Sequence, residues 1–236
     1  MKTPATSEID CDHITKWSLV VNSMRWGKLV AVMTNLSPDS SQRGPAEHAI
    51  REQIVLAAGE HFSRYGYDKT TVSDLAGAIG FSKAYIYKFF NSKQAIAEAI
   101  CMSCLDSIIG DIESAIGQAK TPTDKLRKVL ETAVSNSVLL FFNDRKLYDI
   151  AAHSCGEQWS SSVAYMEQLS SLLSQVVIEG RQAGEFERKT PLDETVSGIM
   201  SSMSSYLRPL LLQHNLGSVP EGSNKVIALI LRSLAP

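Results

Sequence analysis

Between residues 75 and 97 the chain carries Lys83, Lys88 and Lys93 and no acidic residue. Tyr85 and Tyr87 lie among them. This mixture suits a phosphodiester backbone and the base edges beside it. Ammonium groups can meet phosphate or guanine, phenol hydroxyls can donate to phosphate, and the rings can pack on sugar or a thymine methyl. Thr71 and Lys93 fall where helix N-termini are expected, and unpaired amides there favour a phosphate. The competing reading is an ordinary solvated helical face.

A second grouping is Cys101-Met-Ser-Cys104. Spacing of three on a helix puts both thiols on one side, so a thiol switch or a pair of metal ligands is conceivable, with His153 and Cys155 completing a metal site. Free cysteines also pack simply as small apolar residues. No nucleophile motif, paired metal ligands or glycine-rich phosphate loop occurs, so the chain is read as a non-enzyme without a cofactor.

These residues need elements to position them. From Pro45, the residues Ile50, Ile54, Ala57, Ala58, His61, Phe62 and Tyr65 recur at helical spacing, and Gly66 is placed to end that helix. Thr71-Val-Ser-Asp74 reads as a capping box opening a short helix with Leu75, Ala76 and Ile79 inward. Gly80 breaks it. Ser82 caps a third helix, with Ile86 and Phe89 inward and Lys83, Ala84, Tyr85, Tyr87 and Lys88 outward. Asn91 or Ser92 caps a long helix from Lys93. Thr121-Pro122 opens another through about Phe142. Further helices are expected over Lys146–His153, Glu157–Ala183, Leu192–Gln213 and Ser223–Leu234. Two short helices around a glycine turn, with a third before them, make a helix-turn-helix.

With those residues placed, Phe62–Ile100 resembles the DNA-binding signature of the TetR family. Phe62, Gly66, Tyr67, Thr70, Thr71, Val72, Leu75, Ala76, Ile79, Gly80, Phe81, Ser82, Ile86, Tyr87, Phe90, Ser92, Lys93 and Ile96 fit its pattern. Phe89 departs from it, standing where the family has Tyr or His, and Ala84 replaces a glycine. The resemblance implies a DNA-facing set of Thr70, Thr71, Lys83, Ala84, Tyr85, Tyr87, Lys88 and Lys93. It also implies a homodimer built by two long helices joined through Glu179-Gly-Arg-Gln-Ala-Gly-Glu-Phe186. Leu169, Leu173, Val176 and Val177 on the first, with Val196, Ile199, Met203, Tyr206, Leu207 and Leu210 on the second, are the residues available for that surface; intramolecular core is their alternative role. The family's ligand pocket falls where this chain has Phe141, Phe142, Tyr148, His153, Trp159, Tyr165 and Met166. Such a lining suits a small, largely apolar effector.

The expectation is therefore an all-α chain in three parts. Residues 1–44 form an N-terminal extension outside the pattern, with Met33 as an alternative start. Residues 45–92 form the helix-turn-helix domain, and 93–236 a helical ligand-binding and dimerisation domain. At 44% hydrophobic and 20% charged, the chain can bury a core. The net charge of -2 means that DNA affinity must come from a local patch doubled by dimerisation. Four cysteines and no secretory signal point to a cytoplasmic protein, and no segment reads as a bilayer span. The function expected is a ligand-responsive DNA-binding transcriptional regulator, a repressor released from a near-palindromic double-stranded operator by its effector. The alternatives are an enzyme using the helical-domain pocket and an all-α interaction module without a DNA role.

Overall fold

The computed structural model describes residues 43–236, and these are helical with no strand among them. In chain order the helices are α1 (Arg43–Tyr65), α2 (Val72–Ile79), α3 (Lys83–Ile86), α4 (Lys93–Gln118), α5 (Pro122–Asn143), α6 (Arg145–Gly156), α7 (Ser160–Ala183), α8 (Leu192–Ser202), α9 (Ser204–Leu207), α10 (Pro209–Leu212) and α11 (Glu221–Ser233). The extension expected over residues 1–44 lies outside the described residues except for Arg43 and Gly44, which already belong to α1. No helix among the described residues is long and apolar enough to cross a membrane.

The first three helices close around Ile54, Ala58 and Phe62 of α1, Leu75 and Ala76 of α2, and Ile86 and Phe90 at and beyond α3, all buried. Gly66 and Gly80 terminate α1 and α2 with φ of +88° and +79°, a conformation that disfavours a side chain. The larger core lies where α4, α5 and α7 pack on one another, with α8 against α7 and α11 against α5. Ile112, Leu126, Leu130, Leu169 and Leu173 are fully buried there.

The junction after α7 is tightly built. Gly184 ends that helix at φ +76°. A side chain at Gly180 would meet the Phe186 ring, with a Cβ only 2.0 Å from Cδ2. Glu185 then accepts hydrogen bonds from the backbone and hydroxyl of Thr123, at 3.0 and 2.7 Å, and so satisfies the first turn of α5.

Two expected helices end differently. The helix expected over Glu157–Ala183 starts at Ser160, because α6 runs on to Gly156 and Gln158 takes a left-handed φ of +52°. The helix expected over Leu192–Gln213 is three pieces. Arg208 is extended at φ -95°, ψ 122°. Pro209 follows it, and a proline disfavours the α region for its predecessor while lacking an amide of its own.

Candidate functional site

The helix-turn-helix is assembled by side-chain caps. The Asp74 amide donates to Thr71 Oγ1 at 3.2 Å, and the Thr71 amide donates to Asp74 Oδ2 at 2.8 Å, completing the capping box. The Thr71 hydroxyl also donates to that carboxylate, and these bonds hold Asp74 below the usual carboxylate range. Ser82 caps α3 through the Tyr85 amide. Of the two residues offered for α4, Ser92 is the cap, accepting from the Ala95 amide at 3.0 Å.

α3 is one turn, extended by hydrogen bonds from Tyr87 to Lys83 and from Phe89 and Phe90 to Ile86. Lys83, Ala84, Tyr87 and Lys88 are exposed on it, and Tyr85 is half-buried. Phe81, Tyr85 and Phe89 form an edge-to-face ladder with centroids 5.0 and 5.4 Å apart. Lys88 lies 5.4 Å from the Tyr85 ring and Lys83 5.9 Å from the Tyr87 ring.

Three of the DNA-facing set are already engaged, Thr71 through the capping box just described. Thr70 is buried and its hydroxyl donates to the Gly66 carbonyl at 2.8 Å, so its side chain fixes the turn. The Lys93 ammonium donates to the Tyr67 carbonyl at 2.9 Å and lies 4.1 Å from that ring's centroid, tying the start of α4 to the turn after α1. Sequence reasoning missed Arg51. From α1 it donates to the Phe89 carbonyl at 2.7 Å and stacks 4.1 Å over Phe90, bracing the exit of α3. An arginine on the polar face of an otherwise amphipathic helix was the only available signal.

The second half of the site is a cavity of about 60 Å³ between α4, α5, α6, α7 and the α9–α10 junction. Its wall includes Ile100, Cys104 and Ile108 of α4, Leu140 of α5, Tyr148, Ala151 and Cys155 of α6, Tyr165 and Met166 of α7, and Leu207 and Pro209. No charged side chain lines it. Tyr148 donates to the Pro209 carbonyl at 2.6 Å, closing one end. Burial pushes the Tyr148 hydroxyl up to about 12 and raises that of Tyr165 further.

The structure brings only Tyr148, Tyr165 and Met166 of the expected pocket residues to this wall. Phe142 is 60% exposed. Phe141 packs edge-on against Tyr148 from outside the cavity, under the Arg145 guanidinium. His153 is exposed and Trp159 buried, and both stack with Tyr67 at centroid distances of about 6.0 Å. They belong to the seam between the helix-turn-helix and the rest of the chain. α6 rises one residue earlier than expected and turns its Tyr148–Cys155 face inward, which leaves His153 on the opposite side.

That seam is extensive. Ser63 of α1 hydrogen-bonds Asp144, the N-cap of α6, and Lys146 of α6 donates to the Arg64 carbonyl. At the head of α4, Lys93 donates to the Tyr67 carbonyl at 2.9 Å, and α4 packs along α1. So α4 and α6, which wall the cavity, also hold the helix-turn-helix.

Cys101 and Cys104 line the cavity with Cys155. Burial pushes Cys101 up to about 12, with Cys104 beside it adding to the shift, and burial pushes Cys104 up to about 11. Both are thiols rather than thiolates near neutral pH. Among the described residues no cluster of His, Cys, Asp and Glu has the geometry to hold a metal ion, and His153 faces Tyr67 and Trp159.

The residues expected to face a second copy are mostly core. Leu169, Leu173, Val176, Val177, Val196, Ile199, Met203, Tyr206 and Leu207 are all buried within the protomer, and only Leu210 is exposed, at 42%. The apolar stripe of α7 is consumed in covering α4 and α5, and that of α8 in packing against α7. The residues these helices expose include Val163, Glu167, Ser171 and Ile178 on α7 and Ser197, Gly198 and Ser201 on α8, beside polar residues such as Gln168, Gln175 and Glu194.

A three-helix reading unit fused through a long fourth helix to a helical cavity domain is the architecture of a one-component DNA-binding regulator. The comparisons agree. Residues 54–100 match the family described as bacterial regulatory proteins, tetR family, and residues 122–218 match the tetracyclin repressor-like C-terminal domain. The chain belongs to the TetR family. It is 31% identical over 111 residues to the probable regulator ArpR of Pseudomonas putida, covering 44% of this chain and 50% of that protein. It is 29% identical over 91 residues to the transcriptional repressor KstR2 of Mycolicibacterium smegmatis, covering 39% of this chain and 43% of that one. The chain thus spans about half the length of these curated relatives. The fold is shared with FadR from Bacillus subtilis, solved with stearoyl-CoA, at a TM-score of 0.59 and 21% identity over 78% of this chain and 98% of that one.

Proposed function

We propose that this protein is a ligand-responsive transcriptional repressor that acts as a homodimer on a near-palindromic double-stranded DNA operator. The observation carrying this reading is that α4 and α6 form the cavity wall and also grip the helix-turn-helix. A cavity of about 60 Å³ is smaller than the ~150 Å³ apolar cavity that accommodates benzene. An effector must therefore push the wall outward to enter. Its affinity is higher for the expanded conformer, and that difference shifts the population. Moving α4 and α6 changes the separation of the two α3 helices, which must span one helical turn of DNA, about 34–36 Å.

Lys83, Tyr85, Tyr87 and Lys88 are the DNA-contacting side chains, with the N-termini at Thr71 and Lys93 against phosphate. The second copy sits on the exposed face of α7 and α8, where Ser171, Ser197, Gly198 and Ser201 permit close approach and Val163 and Ile178 supply apolar contact. The effector is small and largely apolar, touching Tyr148, Tyr165 and Met166. The protein works in the cytoplasm, as a binding protein and not a catalyst.

Selection of bound duplexes from a random DNA pool tests the reading. Enrichment of a near-palindromic site is expected, with retention lost for Tyr87→Ala. Recovery of no common sequence would refute it.

A further inference from the structure

Among the described residues, five hydroxyl groups line the cavity, on Ser137, Tyr148, Ser154, Ser162 and Tyr165. Four of them are occupied. Ser137 donates to the Ala133 carbonyl at 3.0 Å, and Ser162 donates to the Ser154 and Trp159 carbonyls at the same distance. Ser154 pairs with Ser161 at 3.4 Å, and Tyr148 donates to the Pro209 carbonyl at 2.6 Å. Tyr165 differs. It is only 8% exposed, and its hydroxyl has no hydrogen-bond partner among the described residues. Burial alone raises its pKa, with no hydrogen bond or neighbouring charge contributing.

An unpaired hydroxyl in an apolar interior is costly, because its bonds to water are lost and nothing replaces them. Water suits this position poorly. A buried water holds about two to four polar partners, and Tyr165 carries the one unpaired hydroxyl of the wall. An ionised ligand group suits it no better. The wall holds no charged side chain, and burial keeps Cys101 and Cys104 as neutral thiols, so a charge there would lack a counter-charge. Tyr165 is buried within its own protomer and is not part of the exposed face of α7, so a second copy on that face leaves its surroundings unchanged.

We propose that Tyr165 is the polar anchor of the effector site, its phenol donating a hydrogen bond to the single oxygen of an otherwise apolar, uncharged ligand such as a small ketone, aldehyde or ester. This rests on the effector-binding reading above and specifies the ligand class. The apolar body of the ligand lies against Ile100, Ile108, Leu140 and Met166, and its oxygen completes Tyr165. A plain hydrocarbon would leave the hydroxyl unpaired.

The first test needs no ligand. Tyr165→Phe removes an unpaired group, so the urea midpoint of the free protein should stay unchanged or rise. A lowered midpoint shows that the hydroxyl already has a partner and overturns the proposal. The second test is calorimetry on the full chain and on Tyr165→Phe with ketones and alkenes of matched shape. The pairs are cyclopentanone with methylenecyclopentane, cyclohexanone with methylenecyclohexane, and acetophenone with α-methylstyrene. Following one ligand across the two proteins cancels its own cost of leaving water. For the best-fitting pair, Tyr165→Phe is expected to weaken the ketone about tenfold and to leave the alkene unchanged or tighter. The carbonyl stretch of the bound ketone should lie at lower frequency in the unsubstituted protein than in Tyr165→Phe. Benzoate is expected to bind more weakly than acetophenone.

Ketone and alkene affinities that change by the same factor, or not at all, overturn the proposal. So does tighter binding of benzoate than of acetophenone, and so does binding of no compound. Alkene binding with a ketone indifferent to Tyr165→Phe keeps the cavity as an effector site and removes the anchor alone. The operator selection above is independent of all these outcomes, so failure of the ligand class is separable from failure of the regulator reading.

Discussion

Tyr148→Phe probes the cavity and its coupling to DNA in one atom. Its hydroxyl donates to the Pro209 carbonyl at 2.6 Å and joins α6 to α10 across the end of the cavity. Removing it deletes one hydrogen bond, a net loss of about 1 kcal/mol. The larger penalty for an orphaned acceptor does not apply, because the same carbonyl also accepts from the Gln213 amide at 3.2 Å. Urea unfolding at fixed protein concentration should show stability lowered by about 1 kcal/mol with an unchanged slope. The bridge belongs to the compact conformer. If that conformer is the one that binds DNA, losing 1 kcal/mol from it weakens operator affinity by up to about fivefold, read by fluorescence anisotropy. Unchanged stability would refute the geometry. Lower stability with undiminished operator affinity would refute the coupling, because the bridge would then be neutral between the two conformers.

Other substitutions test separate parts of the argument. Gly180→Ala should destabilise by about 1–3 kcal/mol, although glycine to alanine in a helix normally stabilises, because the new Cβ meets the Phe186 ring; Gly180→Ala with Phe186→Leu recovers part of the loss in a thermal melt. Lys88→Ala should lower affinity about equally for all DNA sequences and reduce the salt dependence by about two ions, one per protomer, whereas Tyr87→Ala should also relax sequence preference; unchanged gel-shift affinity in both removes α3 as the contact. The buried thiols make stability fall in alkali. Their folded pKa values exceed the ordinary 9.0, so the unfolded chain ionises first and stability is lost as pH rises from 9.0 towards about 12. The double variant Cys101→Ala, Cys104→Ala should flatten that decline in urea midpoints, and an identical decline would exclude these thiols as its cause.

The helix-turn-helix was legible because its signals are local. Thr71 and Asp74, Ser82, Gly66 and Gly80 each fix a helix end within four residues of themselves, and the chain adopts those ends. The long-range choices were not legible. Leu169 and Val196 lie on apolar stripes that could cover either a partner or the protomer's own α4 and α5, and periodicity is the same for both. Pro209 was a readable break that helical spacing on either side obscured. The pocket divided for a similar reason. Tyr148 and His153 are five apart on α6, so they point to different sides, and only the packing of α6 against α1 decides which side is the cavity. Arg51 carries no motif and gains its role from the Phe89 carbonyl, thirty-eight positions away.

In the proposed dimer, the electrostatics of the reading head give a physical reason for two copies. Arg51 is engaged with Phe89 and Phe90, and Lys93 with Tyr67. That leaves Lys83 and Lys88 as the α3 cations free of hydrogen bonds among the described residues. Each phosphate neutralised contributes a slope of about 0.9 in the salt dependence of binding. Two lysines per protomer therefore give a shallow, weak interaction for a single head, and joining two heads makes the second contact intramolecular. That gain vanishes when the spacing of the heads no longer matches the DNA. With so few free cations on α3, the proposed dimer is consequently sensitive to small displacements of α4 and α6. In the proposed mode of action, the shortage of free positive charge on α3 and the double duty of the cavity wall are thus two parts of one switch.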